Sequence, residues 1–236
     1  MIKIIGSTIG FIGYLIQVIT KNKKKSIVIK LYDLADKYDN QSKLSLAAYG
    51  MMLFGDENYG AALEQFKKMK RTNKKTYIDR IAAMNIALCY WKLDSIDEAV
   101  EVLEDLNSKY EYVNENILTT LGYFYLLKGN YEKALYYSNQ ALEDEPEHAP
   151  ALDNLGQIYY KQNELEKAEG YFLKALEYKD MVDSKYFLGL IYEKQGNKDK
   201  AREYFGKAYN TKTSIFSTVS KGDLEEKFRE YSIIEE

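Results

Sequence analysis

The chain has 236 residues, of which 46% are hydrophobic and 29% charged, so it can bury a sizeable core and is not a disordered chain. Its net charge of −3 argues against a general nucleic-acid binder, which would present a basic surface. One cysteine and one histidine exclude an internal disulfide and a zinc site of the usual Cys/His type, and the lone cysteine suits a reducing compartment.

An apolar segment near the start of the chain runs from Ile4 to Thr20 without a charged residue. Four lysines follow it: Lys21, Lys23, Lys24 and Lys25. As a helix rising about 1.5 Å per residue, the segment approaches the ~30 Å thickness of a bilayer core. Lysines after such a span hold the following chain in the cytoplasm. We therefore predict a transmembrane helix over residues 1–20, then a basic linker and a capping helix over residues 21–42.

One pattern recurs along residues 43–209 at intervals of 33 to 37 residues. In each copy a small residue is followed twelve positions later by alanine. The five pairs are Gly50 and Ala62, Ala87 and Ala99, Gly122 and Ala134, Gly156 and Ala168, and Gly189 and Ala201. A fixed period of this size indicates stacked units, none of which can bury its apolar face alone.

Each copy is predicted to be a pair of helices joined by a tight turn. In the third copy, four residues fall on one helical face at i, i+3, i+4 and i+7: Leu118, Leu121, Gly122 and Tyr125. A break at Gly129-Asn130 separates them from a second helical run that ends before Pro146. The copies begin near residues 43, 80, 115, 149 and 182.

This pattern resembles the tetratricopeptide repeat, in which Leu-Gly, Tyr, Ala, an aromatic residue, Ala and Pro occur at set offsets. The copy that begins at Glu115 departs from the pattern at Ser138, where an aromatic residue is usual. The resemblance implies an all-α fold, a right-handed α-solenoid of about five helix–turn–helix repeats. It also implies a protein-binding scaffold, because family members bind partners rather than catalyse reactions.

The end of the chain, residues 210–236, lacks the repeat pattern. Its first part is polar, whereas Asp223 to Tyr231 forms an amphipathic pattern with Leu224, Phe228 and Tyr231 on one side. A terminal repeat needs its apolar face covered. We therefore predict a linker followed by a C-terminal capping helix.

The N-terminal apolar segment has a second interpretation. On the repeat template, Ile16, Val28, Tyr32 and Ala35 take the positions of Gly50, Ala62, Phe66 and Met69. Residues 9–40 would then be a degenerate first repeat whose first helix is buried core. Both interpretations are compatible with the sequence.

The resemblance also implies a concave groove lined by the first helices of successive hairpins. The groove candidates are Phe54, Met84, Asn85, Leu88, Trp91, Thr119, Tyr123, Asp153, Asn154, Gln157, Tyr160, Tyr186 and Phe187. Rings and amides of this kind suit an extended or helical peptide, although each of them also suits packing between repeats. The lysines and asparagines with which some family members clamp a C-terminal carboxylate are absent from the matching positions.

No phosphate-binding glycine loop, nucleophile elbow or catalytic triad is evident, so we predict no enzymatic activity, cofactor, metal site or small-molecule substrate. The main hypothesis is a scaffold tethered to the membrane by a single span, whose cytoplasmic solenoid captures a peptide or helix of a partner protein. The alternative is a soluble cytoplasmic adaptor whose N-terminal apolar segment is the first repeat helix.

Overall fold

The computed structural model describes residues 2–20, 25–37, 42–69, 77–109, 114–213 and 217–231. Within these ranges the chain forms thirteen α-helices and no strand, which confirms the predicted all-α fold of helix–turn–helix repeats. The helices are α1 (Ile2–Thr20), α2 (Lys25–Asp36), α3 (Lys43–Gly55), α4 (Tyr59–Met69), α5 (Tyr77–Lys92), α6 (Ile96–Lys109), α7 (Glu115–Leu127), α8 (Tyr131–Asp144), α9 (Ala149–Lys161), α10 (Leu165–Tyr178), α11 (Val182–Lys194), α12 (Lys198–Tyr209) and α13 (Lys221–Glu230).

The chain divides into two compact units, Met1–Tyr112 and Val113–Glu236. In the first unit α1 pairs with α2, α3 with α4 and α5 with α6, while α3 also contacts α1 and α5. In the second unit the pairs are α7 with α8, α9 with α10 and α11 with α12. Both α7 and α11 contact α9, so the first helices of three successive hairpins lie side by side.

The repeated glycines mark places where an aromatic ring lies directly against a helix backbone. In three hairpins, a Cβ atom added to the glycine would lie 2.6 Å from a ring carbon of the second helix. These pairs are Gly50 with Phe66, Gly156 with Phe172 and Gly189 with Phe205. Where the pattern lacks the ring, the buried Ser138 takes its place, and its hydroxyl would lie 2.5 Å from a Cβ atom on Gly122. Only glycine fits at such distances.

The turn inside each of the five repeats has one residue in the left-handed region of the backbone. These residues are Glu57, Asp94, Gly129, Asn163 and Gly196, with φ between 59° and 76°. The backbone N–H of the next residue donates to the carbonyl five residues earlier, at 2.9 Å in every case. This hydrogen bond closes the first helix in a Schellman-type cap and sets the entry of the second helix.

The N-terminal apolar segment forms a hairpin within the first unit. Helix α1 packs on α2 and α3, and a Cβ atom on Gly10 would lie 3.5 Å from that of Ala35 and 3.2 Å from that of Ser45. Three side chains of α2 are fully buried: Val28, Tyr32 and Ala35. These are the positions that the degenerate-repeat interpretation matched to the repeat core.

No helix in the described part of the chain is both long enough and apolar enough to cross a bilayer. The prediction of a transmembrane helix over residues 1–20 is therefore not supported, and the packing of α1 favours its alternative. The sequence suggested a span because the apolar side chains of α1 pack against two neighbouring helices. From sequence alone, residues that contact other helices look the same as residues that contact lipid. Lys21, Lys23 and Lys24 lie outside the described residues, whereas Lys25 begins α2 and pairs with Asp56.

The C-terminal helix α13 covers α12 at the end of the second unit. Phe228 stacks on Tyr209 with 3.8 Å between ring centroids, and Leu224 is buried beside Ala208. The Lys227 ammonium lies 2.8 Å from a carboxylate oxygen of Glu193 on α11. Apolar contacts and an ion pair thus hold α13 over the last hairpin.

Candidate peptide-binding groove

All of the groove candidates lie on the first helices of hairpins, but the structure gives them different surroundings. In the first unit, Phe54 and Leu88 are buried and contribute to the core rather than to an open surface. The Asn85 amide donates to a carbonyl of its own helix at 2.9 Å. Met84 and Trp91 are half-buried, so these two keep side-chain surface that a ligand can reach.

In the second unit, two of the candidates join one repeat to the next. Phe187 stacks on Phe172 with 5.4 Å between ring centroids, and therefore extends the core of the preceding hairpin. The Asn154 amide donates to the Thr119 carbonyl at 2.7 Å, linking α9 to α7. Packing between repeats is therefore sufficient to explain why Phe187 and Asn154 occupy these positions. Tyr160 and Tyr186 pack on Phe187, with 5.3 and 6.0 Å between ring centroids.

Three other candidates of the second unit, Tyr123, Asp153 and Gln157, belong to a buried acidic centre. Asp153 on α9 accepts hydrogen bonds from Ser184 of α11 and, at 2.8 Å, from the Gln157 amide. Asp183, in the first turn of α11, is also buried. Burial raises the pKa of Asp153 to about 7, and the Asp183 carboxylate adds to this rise, while the two hydrogen bonds oppose it. Two carboxylates near each other make this centre rich in hydrogen-bond acceptors.

A short segment of the chain's own C-terminal region lies in contact with this centre. One oxygen of Asp183 accepts from the backbone N–H groups of Thr218 and Val219, at 2.7 and 3.0 Å. The same oxygen accepts from the hydroxyls of Thr218 and Ser217, at 2.6 and 3.2 Å. The carboxylate therefore binds two consecutive backbone N–H groups and two hydroxyls of a non-helical segment.

The Thr218 hydroxyl also reaches the two other first helices of the unit. It lies 3.5 Å from the Gln157 amide nitrogen on α9 and hydrogen-bonds with Tyr123 on α7. Burial raises the pKa of the Tyr123 hydroxyl above its usual range, the carboxylates of Asp183 and Asp153 raise it further, and the hydrogen bond with Thr218 lowers it. A single threonine thus contacts α7, α9 and α11.

Sequence reasoning missed Asp183, Ser184 and the segment 217–219. An aspartate in the first turn of a helix already has a local role, because it favours the positive end of the helix dipole. Nothing in the local sequence distinguishes that role from recognition of a segment about 35 residues later. The position of Asp183 on the first helix of a hairpin, like that of Asp153, was the only available signal.

Metal-ligating side chains and the single cysteine are the remaining candidates for a chemical site. Within these ranges no group of three or more His, Cys, Asp or Glu side chains could hold a metal ion. Cys89 is fully buried in α5, and burial raises the pKa of its thiol to about 12. Its thiol is therefore protonated at neutral pH and is a poor nucleophile.

Family comparisons agree with this architecture. Models of the tetratricopeptide repeat match residues 82–111, 114–181 and 182–211, which together are more than half of the chain. The chain belongs to the tetratricopeptide repeat family. Members of this family form extended surfaces that bind protein or peptide partners.

Curated relatives match this tetratricopeptide repeat protein only in part. An uncharacterized protein, ycf37, of Guillardia theta is 32% identical over 114 residues, which are 48% of this chain and 54% of the relative. The photosystem I assembly protein Ycf3 of Rippkaea orientalis is 36% identical over 93 residues, 36% of this chain and 51% of the relative. The chain thus spans about half the length of these relatives.

Solved structures share the fold. A thermophilic tetratricopeptide repeat protein of Thermus thermophilus superposes with a TM-score of 0.67 at 22% identity, covering 82% of this chain and all of that protein. The MamA protein superposes with a TM-score of 0.52 at 19% identity, covering 80% of this chain and 95% of its own. At these identities the likeness concerns the fold alone.

Proposed function

We propose that the chain is a non-enzymatic adaptor that binds an extended segment of a partner protein along the first helices of its hairpins. The observation that carries this proposal is the contact between Asp183 and the segment 217–219. The surface formed by α7, α9 and α11 binds backbone N–H groups of a non-helical segment. A partner segment presents the same groups.

The chemistry of this surface suits an extended peptide. A peptide outside a sheet or helix leaves its N–H groups without internal acceptors, and Asp153 and Asp183 supply acceptors for them. Tyr160 on α9 and Tyr186 on α11 are half-buried and keep some ring surface that a ligand can reach. The Lys194 ammonium lies 4.2 Å above the Tyr160 ring and places one positive charge at the edge of this surface.

Two versions of the adaptor were predicted, and they differ in the role of residues 1–20. The membrane-tethered version needs this segment outside the repeat array. Packing of α1 on α2 and α3 supports the other version, in which the segment is the first helix of an additional hairpin. We therefore propose an adaptor whose helical array includes α1 and α2.

A photo-crosslinking experiment on the full chain tests the groove. The crosslinking amino acid replaces Tyr160 on α9 in one protein and Tyr136 on α8 in the other. Both sites are tyrosines, but Tyr136 lies on a second helix with 55% of its surface exposed and serves as the matched control. We expect a partner protein to be crosslinked at position 160 and not at position 136, with the crosslinked peptide identified by mass spectrometry.

The captured segment is then synthesised and titrated against the wild-type chain and against Gln157→Ala. Loss of affinity in the variant supports the assignment of the groove. Equal crosslinking at both positions, or equal affinity of both proteins, would show that partners bind elsewhere.

A further inference from the structure

We infer that residues 217–219 are an intramolecular ligand of the groove, which a partner segment of the same chemistry must displace. The inference rests on the proposed function and names the ligand class: an uncharged extended segment with Ser or Thr followed by an aliphatic residue.

The contacts of the segment are those of a bound peptide. Asp183 holds two consecutive N–H groups, which any residue except proline provides. Selectivity comes from two side chains: the Thr218 hydroxyl, which meets α7, α9 and α11, and the Val219 side chain, which is buried beside Val182. Backbone contacts thus provide attachment, and one hydroxyl and one aliphatic group provide recognition.

The chain on either side of the segment has its own anchors. Thr211 follows α12 and accepts from the Lys185 ammonium at 2.6 Å. On the other side, α13 is held by Phe228 against Tyr209 and by Lys227 against Glu193. Because both flanks are attached independently of Asp183, residues 217–219 can leave the groove while α13 stays on α12.

Tethering explains how so short a segment occupies the site. A segment attached by a few residues has an effective concentration of about millimolar, so weak contacts suffice for occupancy. A free partner peptide competes with this concentration. Its apparent affinity is reduced by the fraction of molecules in which the groove is already filled.

The charge of the site defines what the ligand cannot be. Asp153 and Asp183 are buried acceptors next to the Tyr123 hydroxyl and the Gln157 amide. A carboxylate or phosphate in the position of Thr218 would lie against the buried Asp183 carboxylate, whose negative charge would repel it. The site therefore accepts a hydroxyl and rejects an anion.

The test measures binding of a fluorescent peptide with the sequence of residues 211–221 to the full-length chain by anisotropy. Thr218→Asp places an anion in the internal segment and should expel it while leaving every groove residue unchanged. Thr213→Asp adds the same charge to the same loop at an exposed position and is the matched control. We expect Thr218→Asp to bind the peptide about tenfold more tightly or better, and Thr213→Asp to bind like the wild type.

Two further samples define the site. The Thr218→Asp/Asp183→Ala double variant should lose the gained affinity, and a peptide phosphorylated at the position of Thr218 should not bind. Equal binding by the wild type and Thr218→Asp would overturn the inference. If that result came with selective crosslinking at position 160, the proposed function would stand and the segment would be a fixed part of the fold.

Hydrogen exchange on the wild-type chain gives a second measurement that needs no variant. If the peptide displaces the segment, the amides of Thr218 and Val219 should exchange faster when the unlabelled peptide is in excess. Unchanged exchange at saturating peptide overturns the inference even if Thr218→Asp does not fold. Circular dichroism of that variant, compared with Thr213→Asp, shows whether its helices are intact.

Discussion

In both hairpins α9–α10 and α1–α2 an aromatic ring packs against a glycine, but the contact is closer in α9–α10. In α9–α10, a Cβ atom on Gly156 would lie 2.6 Å from the Phe172 ring. In α1–α2, a Cβ atom on Gly13 would lie 3.4 Å from the Tyr32 ring. Helices of the motif-bearing hairpin therefore approach as closely as a glycine allows, whereas in the N-terminal hairpin the neighbours of a methyl group would have to shift by only a few tenths of an ångström.

The two rings also differ in what surrounds them. Phe172 is fully buried among apolar residues. The Tyr32 ring stacks on Tyr49 with 4.8 Å between centroids, and its hydroxyl donates to Gln17 at 2.8 Å. A hairpin can thus form without the repeat motif if other contacts replace the ring-on-glycine contact. The motif identifies one way of packing the hairpin, and its absence does not exclude the hairpin.

The largest expected effect tests whether α1 belongs to the array. Deleting residues 2–20 removes the helix against which α2 and α3 pack, so it should destabilise the first unit by more than the ~3 kcal/mol typical of one deleted core side chain. We expect aggregation in size-exclusion chromatography with light scattering. A monomeric, fully helical product with an unchanged melting temperature would mean that α1 is dispensable and would restore the tether hypothesis.

The second prediction compares the two glycines. Gly156→Ala forces the Phe172 ring to move and should cost about 1–3 kcal/mol of unfolding free energy, although alanine favours the helix. Gly13→Ala should change stability by less than about 1 kcal/mol, because its contacts with Leu31 and Tyr32 are only slightly tight.

The control is Gly170→Ala on α10, where an added Cβ atom meets nothing within 4 Å. This variant should be more stable by about 1 kcal/mol in urea titrations. If Gly156→Ala were also stabilising, the ring-on-glycine account of the motif would be wrong.

A third prediction concerns substitutions of the two aromatic residues, Tyr32 and Phe172. Tyr32→Phe removes the hydroxyl that donates to Gln17 and should cost about 1 kcal/mol. Phe172→Tyr should also destabilise, by about 1–3 kcal/mol, because the new hydroxyl enters an apolar site. Urea midpoints at pH 7 measure both changes, and a neutral Tyr32→Phe would show that the hydrogen bond to Gln17 is not important for the N-terminal hairpin.

A fourth prediction concerns the buried carboxyl group of Asp153 on α9. Because burial raises the pKa of Asp153 to about 7 from 3.8, the folded state keeps its proton over a range in which the unfolded chain has lost it. Its contribution to stability is present below the unfolded pKa and is lost as the pH rises through the folded pKa. One such group changes stability by at most about 1.4 kcal/mol per pH unit.

Asp153→Asn removes this dependence and can keep hydrogen bonds to Ser184 and Gln157. We expect the variant to gain stability relative to the wild type as the pH rises from about 5 to 8. Urea midpoints across this range, with the exposed Asp199→Asn as control, measure the trend. Parallel pH profiles of Asp153→Asn and the wild type would contradict it.

Much of the fold followed from the sequence because it depends on local patterns. The spacing from Gly122 to Ala134 and the break at Gly129 reflect contacts within one hairpin, and these recur wherever the pattern recurs. Helix α13 was predictable for the same reason, since Leu224 and Phe228 fall on one helical face.

The role of the apolar segment near the N-terminus was ambiguous because some of its side chains pack in the core and others are exposed. One face of α1 packs against α2 and α3, while five large apolar side chains are exposed among residues 7–20, where the structure describes the side chains of this helix. They are Phe11, Ile12, Leu15, Val18 and Ile19. A helix that is apolar on both faces has the same composition whether a bilayer or a protein lies beside it, so only its packing partners distinguish the two cases.

By itself, the sequence determined that this protein is an array of helical hairpins, since the period, the small residues and the turns are repeated local features. It also indicated the helices on which the proposed binding surface lies. Only the tertiary structure brought Asp183 and Thr218 together, because they lie 35 positions apart in the sequence and are joined by a hydrogen bond at 2.6 Å. Such contacts depend on how separate helices and a connecting segment come together, which no periodic pattern records.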